Sequence, residues 1–208
     1  MTSPLGSIEV GPREGRRVTL ARTTNETEIT VTLGLDGTGH AAIDTGIGFY
    51  DHLLASLAHH GLFDLAIQAD GDLQVDEHHT VEDVALVLGA AFAEALGDRA
   101  GINRFGQSSV PMDASIATAA VDVGGRPYSV IDLSFRGERA GGLPLQLVEH
   151  ALESLARTAG ATINLSGSGR NDHHLAEAAF KTLGRALRVA CEIDPRRDGV
   201  ASTKGVLE

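Results

Sequence analysis

The sequence predicts an α+β fold of two tandem similar halves, each a β-β-α-β-β-α unit, with the helices packed between two mostly antiparallel sheets. The first observation is an internal repeat: residues 51–58 and 149–156 match at His, Leu, Ser, Leu and Ala. The second is a dihistidine that follows each copy at a similar distance, with a glutamate one helical turn later. The repeat predicts halves at residues 20–109 and 110–195 that form one compact unit, flanked by tails at 1–19 and 196–208.

Hydrophobic periodicity predicts the elements of the first half. Residues 28–35 alternate as a half-buried strand, and Asp36-Gly37 predicts a hairpin turn into a partner strand at 40–44. Apolar residues at helical spacing predict helices at 49–60 and 79–96, ended by Gly61 and Gly97. Between these helices we expect a second hairpin, formed by residues 63–70 and 72–75.

The second half is predicted to repeat this order. Its strands are expected at 115–123, 128–135 and 161–165, with a turn at Gly124-Gly125. Its helices are expected at 145–158 and 173–192, and Asp194-Pro195 closes the last one.

The composition limits the class of protein. The chain has 28 acidic and 17 basic residues and a net charge of −11, which argues against binding nucleic acid or an anionic membrane. The only cysteine, Cys191, excludes an intramolecular disulfide, as is typical of the reducing cytoplasm. We find no secretory signal at residues 1–11 and no apolar run of roughly 20 residues, so we expect a soluble cytoplasmic protein.

The dihistidines predict a metal centre. A histidine and a glutamate four positions apart lie on one face of a helix, and the duplicated pattern is hard to obtain by chance. The candidate ligands are the six imidazoles and two carboxylates of His52, His78, His79, Glu82, His150, His173, His174 and Glu177. This set suits divalent zinc, iron or manganese. Adjacent histidines point about 100° apart on a helix, so we expect each dihistidine to serve two metals, with partners from another segment or another subunit.

Two further groups of residues lie near these motifs. The acidic neighbours could orient the imidazoles or could complement the helix macrodipoles, and the sequence supports both equally; they are Asp51, Asp76, Glu77, Glu149 and Asp172. The basic and hydroxyl residues suited to phosphate are Arg104, Arg126, Lys181, Ser202 and Lys204.

The chain closely resembles the imidazoleglycerol-phosphate dehydratase family from about residue 22 to 207. The resemblance rests on five strings: DTGIGFYDH at 44–52, EHHTVED at 77–83, QLVEH at 146–150, HHLAEAAFK at 173–181 and STKGVL at 202–207. It implies dehydration of a phosphorylated imidazole substrate, with two Mn²⁺ per chain at subunit interfaces of a 24-subunit homo-oligomer. It also implies that all eight candidate ligands bind metal, and that the substrate contacts are Glu26, Arg104, Arg126, Ser202, Lys204 and additionally Lys181.

The chemistry agrees with that resemblance. The proton removed from the substrate is not acidic, because no carbonyl flanks it, whereas an imidazole held by two metals can become an imidazolate and expel the neighbouring hydroxyl. We expect Glu26, Glu177 and His52 to be catalytic, with the two glutamates as the candidates that move protons. There are two alternatives. One is a dimetal-dependent hydrolase of a phosphorylated substrate, and the other is a metal-storage or structural assembly without turnover.

Overall fold

A computed structural model describes residues 8–207. The first sheet has five strands in the spatial order β1-β2-β3-β5-β4, which are β1 (Ile8–Glu14), β2 (Arg17–Thr23), β3 (Thr27–Gly34), β4 (Ala41–Asp44) and β5 (Asp64–Gly71). All of its pairs are antiparallel except β4 with β5, which is parallel.

The second sheet repeats the first without its edge strand. Its order is β6-β7-β11-β8, and its strands are β6 (Phe105–Met112), β7 (Ser115–Asp122), β8 (Tyr128–Leu133) and β11 (Thr162–Gly169). The β8 and β11 pair is again parallel, and the others are antiparallel. A small hairpin of β9 (Arg139–Ala140) and β10 (Leu143–Pro144) stands apart from both sheets.

Four helices lie between the sheets, and they are α1 (Gly48–Gly61), α2 (His78–Leu96), α3 (Leu145–Ala159) and α4 (Asp172–Cys191). Alternate residues of each central strand are buried against them, as the period of two in a strand requires. Helices pack in pairs that join the halves, α1 on α4 and α2 on α3, and one apolar core runs through both halves. The predicted fold class is therefore confirmed. Among the described residues, no helix combines the length and apolarity needed to cross a bilayer.

Two glycines at equivalent positions let the paired helices cross closely. A Cβ on Gly184 of α4 would lie 2.4 Å from the carbonyl oxygen of Leu57 in α1. A Cβ on Gly89 of α2 would lie 2.4 Å from the carbonyl oxygen of Leu155 in α3. Both glycines stand eleven positions after the first histidine of their dihistidine, so the repeat includes the helix crossings that bring the histidines of the two halves together.

The strand pairing differs from the prediction. The segments at 40–44 and 128–135 were expected to form hairpins with the strands before them, but β4 and β8 instead pair in parallel with β5 and β11. Residues 72–75 form a turn and no strand. Strands β1, β2 and β6 were not predicted; the first two lie largely in the expected tail at 1–19, and β6 crosses the expected boundary at 109/110. The first half thus has four strands before its first helix, and the second half has three sheet strands and the β9–β10 hairpin; in each half one strand and the second helix follow.

Candidate metal centre

The first group of converging side chains, which we name the Glu177 cluster, consists of His52, His173 and Glu177. Nε2 of His52 and Nε2 of His173 each lie 3.0 Å from Oε1 of Glu177. Glu177 is only 6% exposed, whereas the two imidazoles are accessible from solvent. The cluster therefore places one buried carboxylate oxygen beside two solvent-accessible imidazole nitrogens.

The second group, the Glu82 cluster, consists of His78, Glu82 and His150. Nε2 of His150 lies 3.6 Å from Oε1 of Glu82, and the ring centroids of His78 and His150 are 5.0 Å apart. In both clusters the donor atoms lie within 4.8 Å of one another. Each cluster takes a histidine and a glutamate from a long helix of one half and a histidine from a short helix of the other.

Local sequence fixes where the long helices begin. Oδ1 of Asn171 accepts hydrogen bonds from the backbone N–H groups of His173 (3.0 Å) and His174 (3.3 Å), so Asn171 is the N-cap of α4. At α2 the carboxylate of Asp76 accepts the N–H of His78 at 2.8 Å. The N-cap of α2 is Glu77, whose side chain accepts no capping hydrogen bond. The hydrogen bonds accepted by Asn171 and Asp76 set the start of each helix, and the first turn carries the imidazoles.

The donor set of each cluster suits a divalent metal ion. Two imidazole nitrogens and one carboxylate oxygen are a common ligand set for zinc, iron and manganese. In the Glu82 cluster, Nε2 of His150 is buried and has no hydrogen-bond partner among the described residues. Because a buried polar atom without a partner is costly, that nitrogen fits a ligand position.

The second histidine of each pair faces away from these clusters. Nδ1 of His79 lies 2.9 Å from Oδ2 of Asp72 and 3.8 Å from Oε2 of Glu26. Nδ1 of His174 lies 3.5 Å from Oδ2 of Asp113. The rings within each dihistidine are nearly perpendicular, at 78° and 76°, as expected for adjacent helical residues. Six of the eight candidate ligands thus come together within one chain, and His79 and His174 do not join them.

The two cluster carboxylates have different cationic partners. Burial raises the pKa of Glu177, but hydrogen bonds from Lys181 and His52 outweigh burial and bring that pKa down to about 2. Nζ of Lys181 lies 2.5 Å from Oε2 of Glu177, on the oxygen that the imidazoles leave free. Glu82 has a weaker counterpart in Arg157, at 3.2 Å and 54% exposed. Glu177 is therefore an ionised ligand group at neutral pH.

The acidic neighbours of the motifs bond to backbone or to arginine. Asp51 and Asp76 accept backbone N–H groups close in sequence, Glu149 accepts the N–H of Leu133, Asp172 accepts those of Arg136 and Gly137, and Glu77 pairs with Arg139. Within residues 8–207 none of these five carboxylates makes a hydrogen bond or an ion pair with an imidazole ring, so these contacts do not support a role in orienting the rings. The carboxylate that does contact a dihistidine is Asp72, whose hydrogen bond raises the pKa of His79. Sequence reasoning missed Asp72 because it is separated from His79 by seven positions and a turn.

Most of the predicted phosphate-binding residues line one cavity of about 350 Å³. Arg104, Arg126, Ser202 and Lys204 contribute to its wall, together with Phe105 and Gly124. Lys181 and Glu26 do not line it: Lys181 lies at Glu177, and Glu26 lies at His79. The cavity is therefore a basic pocket built from the C-terminal segment, the start of β6 and the loop that follows β7.

Arg104 is fixed in this pocket by the protein itself. Its guanidinium makes two hydrogen bonds to the carboxylate of Asp122, at 2.7 and 2.8 Å, and a third to the carbonyl oxygen of Ala201. The bond to Asp122 raises the pKa of Arg104, so the cation is permanent. Its backbone has a φ of +71°, a strained conformation for a residue other than glycine and one that functional sites often contain.

Sequence comparison agrees with the site. A family profile described as imidazoleglycerol-phosphate dehydratase matches residues 45–187. Curated relatives with that name include one from Methanoculleus marisnigri, 54% identical over 89% of this chain and 96% of the relative. Another, from Methanocella arvoryzae, is 53% identical over 92% of this chain and the whole of the relative.

Solved structures agree as well. An imidazoleglycerol-phosphate dehydratase from Pyrococcus furiosus, in complex with (S)-C348, superposes with a TM-score of 0.78 at 38% identity, covering 90% of this chain and 99% of that one. The enzyme from Staphylococcus aureus gives a TM-score of 0.77 at 32% identity, covering 85% and 98%. The chain therefore belongs to the imidazoleglycerol-phosphate dehydratase family, and it is a hydro-lyase of histidine biosynthesis.

Proposed function

We propose that this chain dehydrates D-erythro-imidazole glycerol phosphate to imidazole acetol phosphate. The observation that carries the proposal is the pair of two-imidazole, one-carboxylate clusters in a chain of this family. A substrate that is itself an imidazole adds one more nitrogen ligand of the kind the clusters already use. The acidic chain also contains a basic pocket in which the phosphate of such a substrate could bind.

We further propose two Mn²⁺ per chain as the cofactor. The Glu177 cluster and the Glu82 cluster each supply three ligands, and His79 and His174 are left to supply the others. When bound, such ions act as Lewis acids that lower the pKa of a coordinated imidazole. The mixed nitrogen and oxygen donors suit manganese, although zinc and iron accept the same set.

Proton transfer falls to Glu26 in this proposal. Glu177 already accepts from His52, His173 and Lys181, and its low pKa makes it a weak base. Glu26 is half-exposed and lies 3.8 Å from the imidazole of His79, so its carboxylate can reach a substrate bound beside that ring. We therefore assign Glu26 the movement of protons, and we assign His52 and Glu177 the holding of metal.

The phosphate is assigned to the basic cavity. Arg104 is held rigidly by Asp122 and presents its charge without a large loss of side-chain entropy. Arg126, Ser202 and Lys204 add further donors around the same space. We do not assign Lys181 to the phosphate, because its ammonium group already pairs with the Glu177 carboxylate at 2.5 Å.

The arrangement also supports assembly of several copies. None of the residues that line the basic cavity belongs to either cluster, and His79 and His174 face away from the ligands of their own chain. A complete site therefore needs groups that one copy does not bring together, which is consistent with a large homo-oligomer of 24 subunits. We place this enzyme in the cytoplasm, in line with its single cysteine.

The competing function is a dimetal hydrolase of a phosphorylated substrate. Incubation of the purified, manganese-loaded chain with imidazole glycerol phosphate separates the two. A dehydratase forms the keto product and releases no inorganic phosphate. Release of phosphate with an intact glycerol chain would favour the hydrolase, and no reaction with full metal content would favour a storage role.

A further inference from the structure

The two halves differ most in the link between their third strand and first helix. In the first half residues 45–47 connect β4 to α1, whereas in the second half residues 134–144 connect β8 to α3 and include the β9–β10 hairpin. Apart from the edge strand β1, the 134–144 segment is thus the addition to a repeated topology. The first half has no equivalent segment, so we infer the role of this one from its contacts.

One end of this segment is bound to the start of α4. The carboxylate of Asp172 accepts the backbone N–H of Arg136 at 3.0 Å and the N–H of Gly137 at 2.7 Å. Asp172 immediately precedes His173, a member of the Glu177 cluster. Hydrogen bonds to an ionised carboxylate are among the stronger ones in proteins, so this is a firm attachment.

Two residues further along, the segment is bound to the start of α2. Nη2 of Arg139 lies 2.5 Å from Oε1 of Glu77, which immediately precedes His78 of the Glu82 cluster. The guanidinium also donates to the carbonyl oxygen of Gly142, which holds it within its own hairpin. A half-exposed ion pair contributes little by itself, but an arginine that is already ordered loses less entropy on pairing.

The last part of the segment packs in the core and against Phe49. Leu143 is completely buried, which anchors the hairpin in the core. Gly141 lies so close to Phe49 that a Cβ would be 2.6 Å from the ring, and the ring of Phe49 is 4.8 Å from that of His173. The segment therefore contacts the start of α4, the start of α2 and the aromatic neighbour of the Glu177 cluster.

We propose that the 134–144 segment is a clamp that fixes the first turns of α2 and α4 relative to each other and so positions both metal clusters. Asp172 and Arg139 are positioning residues, since neither is a metal ligand. The effect on metal affinity rests on the proposed function, but the mechanical coupling between the two helix starts does not. A clamp predicts that cutting one attachment loosens the distant helix as well as the near one.

Hydrogen exchange of the full-length chain, measured with and without manganese, tests the clamp. Asp172→Ala, with Asp172→Asn as a milder variant, should raise exchange rates about tenfold at residues 78–82, although Asp172 belongs to the other helix. Arg139→Gln should raise exchange at residues 172–177 in the same way. Both variants should also weaken manganese binding on the order of tenfold, the effect typical of losing a group that orients ligands.

Asp64→Ala is the matched control. Its carboxylate also accepts two loop N–H groups, from Thr38 at 2.9 Å and His40 at 3.2 Å. Among the described residues, no hydrogen bond or ion pair joins that loop to either dihistidine. It should raise exchange near residues 37–40 and leave 78–82 unchanged. Faster exchange confined to residues 136–137 and 172–174 in Asp172→Ala would overturn the clamp. Failure of the wild-type chain to bind manganese would instead count against the proposed function, since the exchange result is obtained without metal.

Discussion

Glu82 and Glu177 are the carboxylates of the two clusters, and their surroundings differ. Glu177 is buried with Lys181 on its free oxygen, whereas Glu82 is partly exposed and pairs with an exposed arginine. Removing the charge of Glu177 leaves the ammonium group of Lys181 in a mostly buried position without its partner. We therefore expect substitution of Glu177 to affect stability more than substitution of Glu82, although we propose the same metal-binding role for both.

Glu82→Gln and Glu177→Gln should each lower manganese content from about two ions per chain to about one, because each glutamate serves one cluster. Only Glu177→Gln should also reduce the free energy of unfolding, by about 1–3 kcal/mol. Elemental analysis after gel filtration and urea unfolding measure the two effects. His59→Gln, at the end of α1 and outside both clusters, is the control. Loss of both ions in either variant would show that the clusters do not bind independently.

Glu26→Gln isolates the proton-transfer step. The variant retains size and hydrogen-bonding capacity but loses the base, so we expect kcat to fall by about 10²–10⁴ with manganese content unchanged. Steady-state turnover and metal analysis on the same sample check this. Normal turnover with intact metal content would remove Glu26 from the proposed mechanism.

Two close helix crossings bring together the ligands that each cluster takes from different helices. Gly184 permits α4 to approach α1, and Gly89 permits α2 to approach α3, so that His52 reaches Glu177 and His150 reaches Glu82. The repeat therefore conserves two close helix contacts along with the ligands. A side chain at either crossing has to push the helices apart.

Gly184→Ala should destabilise the chain by about 1–3 kcal/mol, because the added methyl group would overlap backbone atoms that cannot move freely. Urea unfolding monitored by circular dichroism gives the value. Gly48→Ala, at the first position of α1 with open space around its Cβ position, should change stability by less than about 0.5 kcal/mol. Equal stability of the two variants would contradict the close crossing.

The sequence predicted helices better than strand partners, for a physical reason. Helical periodicity and a following glycine are local, and α2 and α3 begin and end within one residue of the prediction. Strand pairing is decided by contacts distant in sequence, so the parallel partners of β4 and β8 could not be found from turn signals beside them. Strands β1 and β6 were missed because Pro12 and Pro111, with polar neighbours, hide their alternation.

The site followed the same rule. The sequence could predict the candidate ligands because a duplicated local motif marks them, and helix geometry predicts that the two rings of each dihistidine point apart. Asp72 and Arg157 were not found, since each reaches its partner only through the folded packing of different elements. Nothing local in the sequence marks the 134–144 segment as a contact between two helices.

At the scale of the whole molecule, the two halves act as one unit, and several copies are expected to complete the site. Because His79 and His174 face away from their own clusters, we expect them to bind metal held by other copies. Chelation of manganese should therefore convert a large assembly into smaller species, and readdition should restore it. Light scattering after gel filtration measures the masses. An assembly whose mass is indifferent to metal would show that metal does not join the copies.

We propose that the two clusters hold the metal that this dehydratase needs. The most direct test returns manganese stepwise to metal-stripped protein while turnover of imidazole glycerol phosphate and bound metal per chain are measured together. We predict that keto product formation recovers with binding and reaches its plateau at about two ions per chain. Full metal binding without turnover, or full turnover by the stripped protein, would contradict the claim.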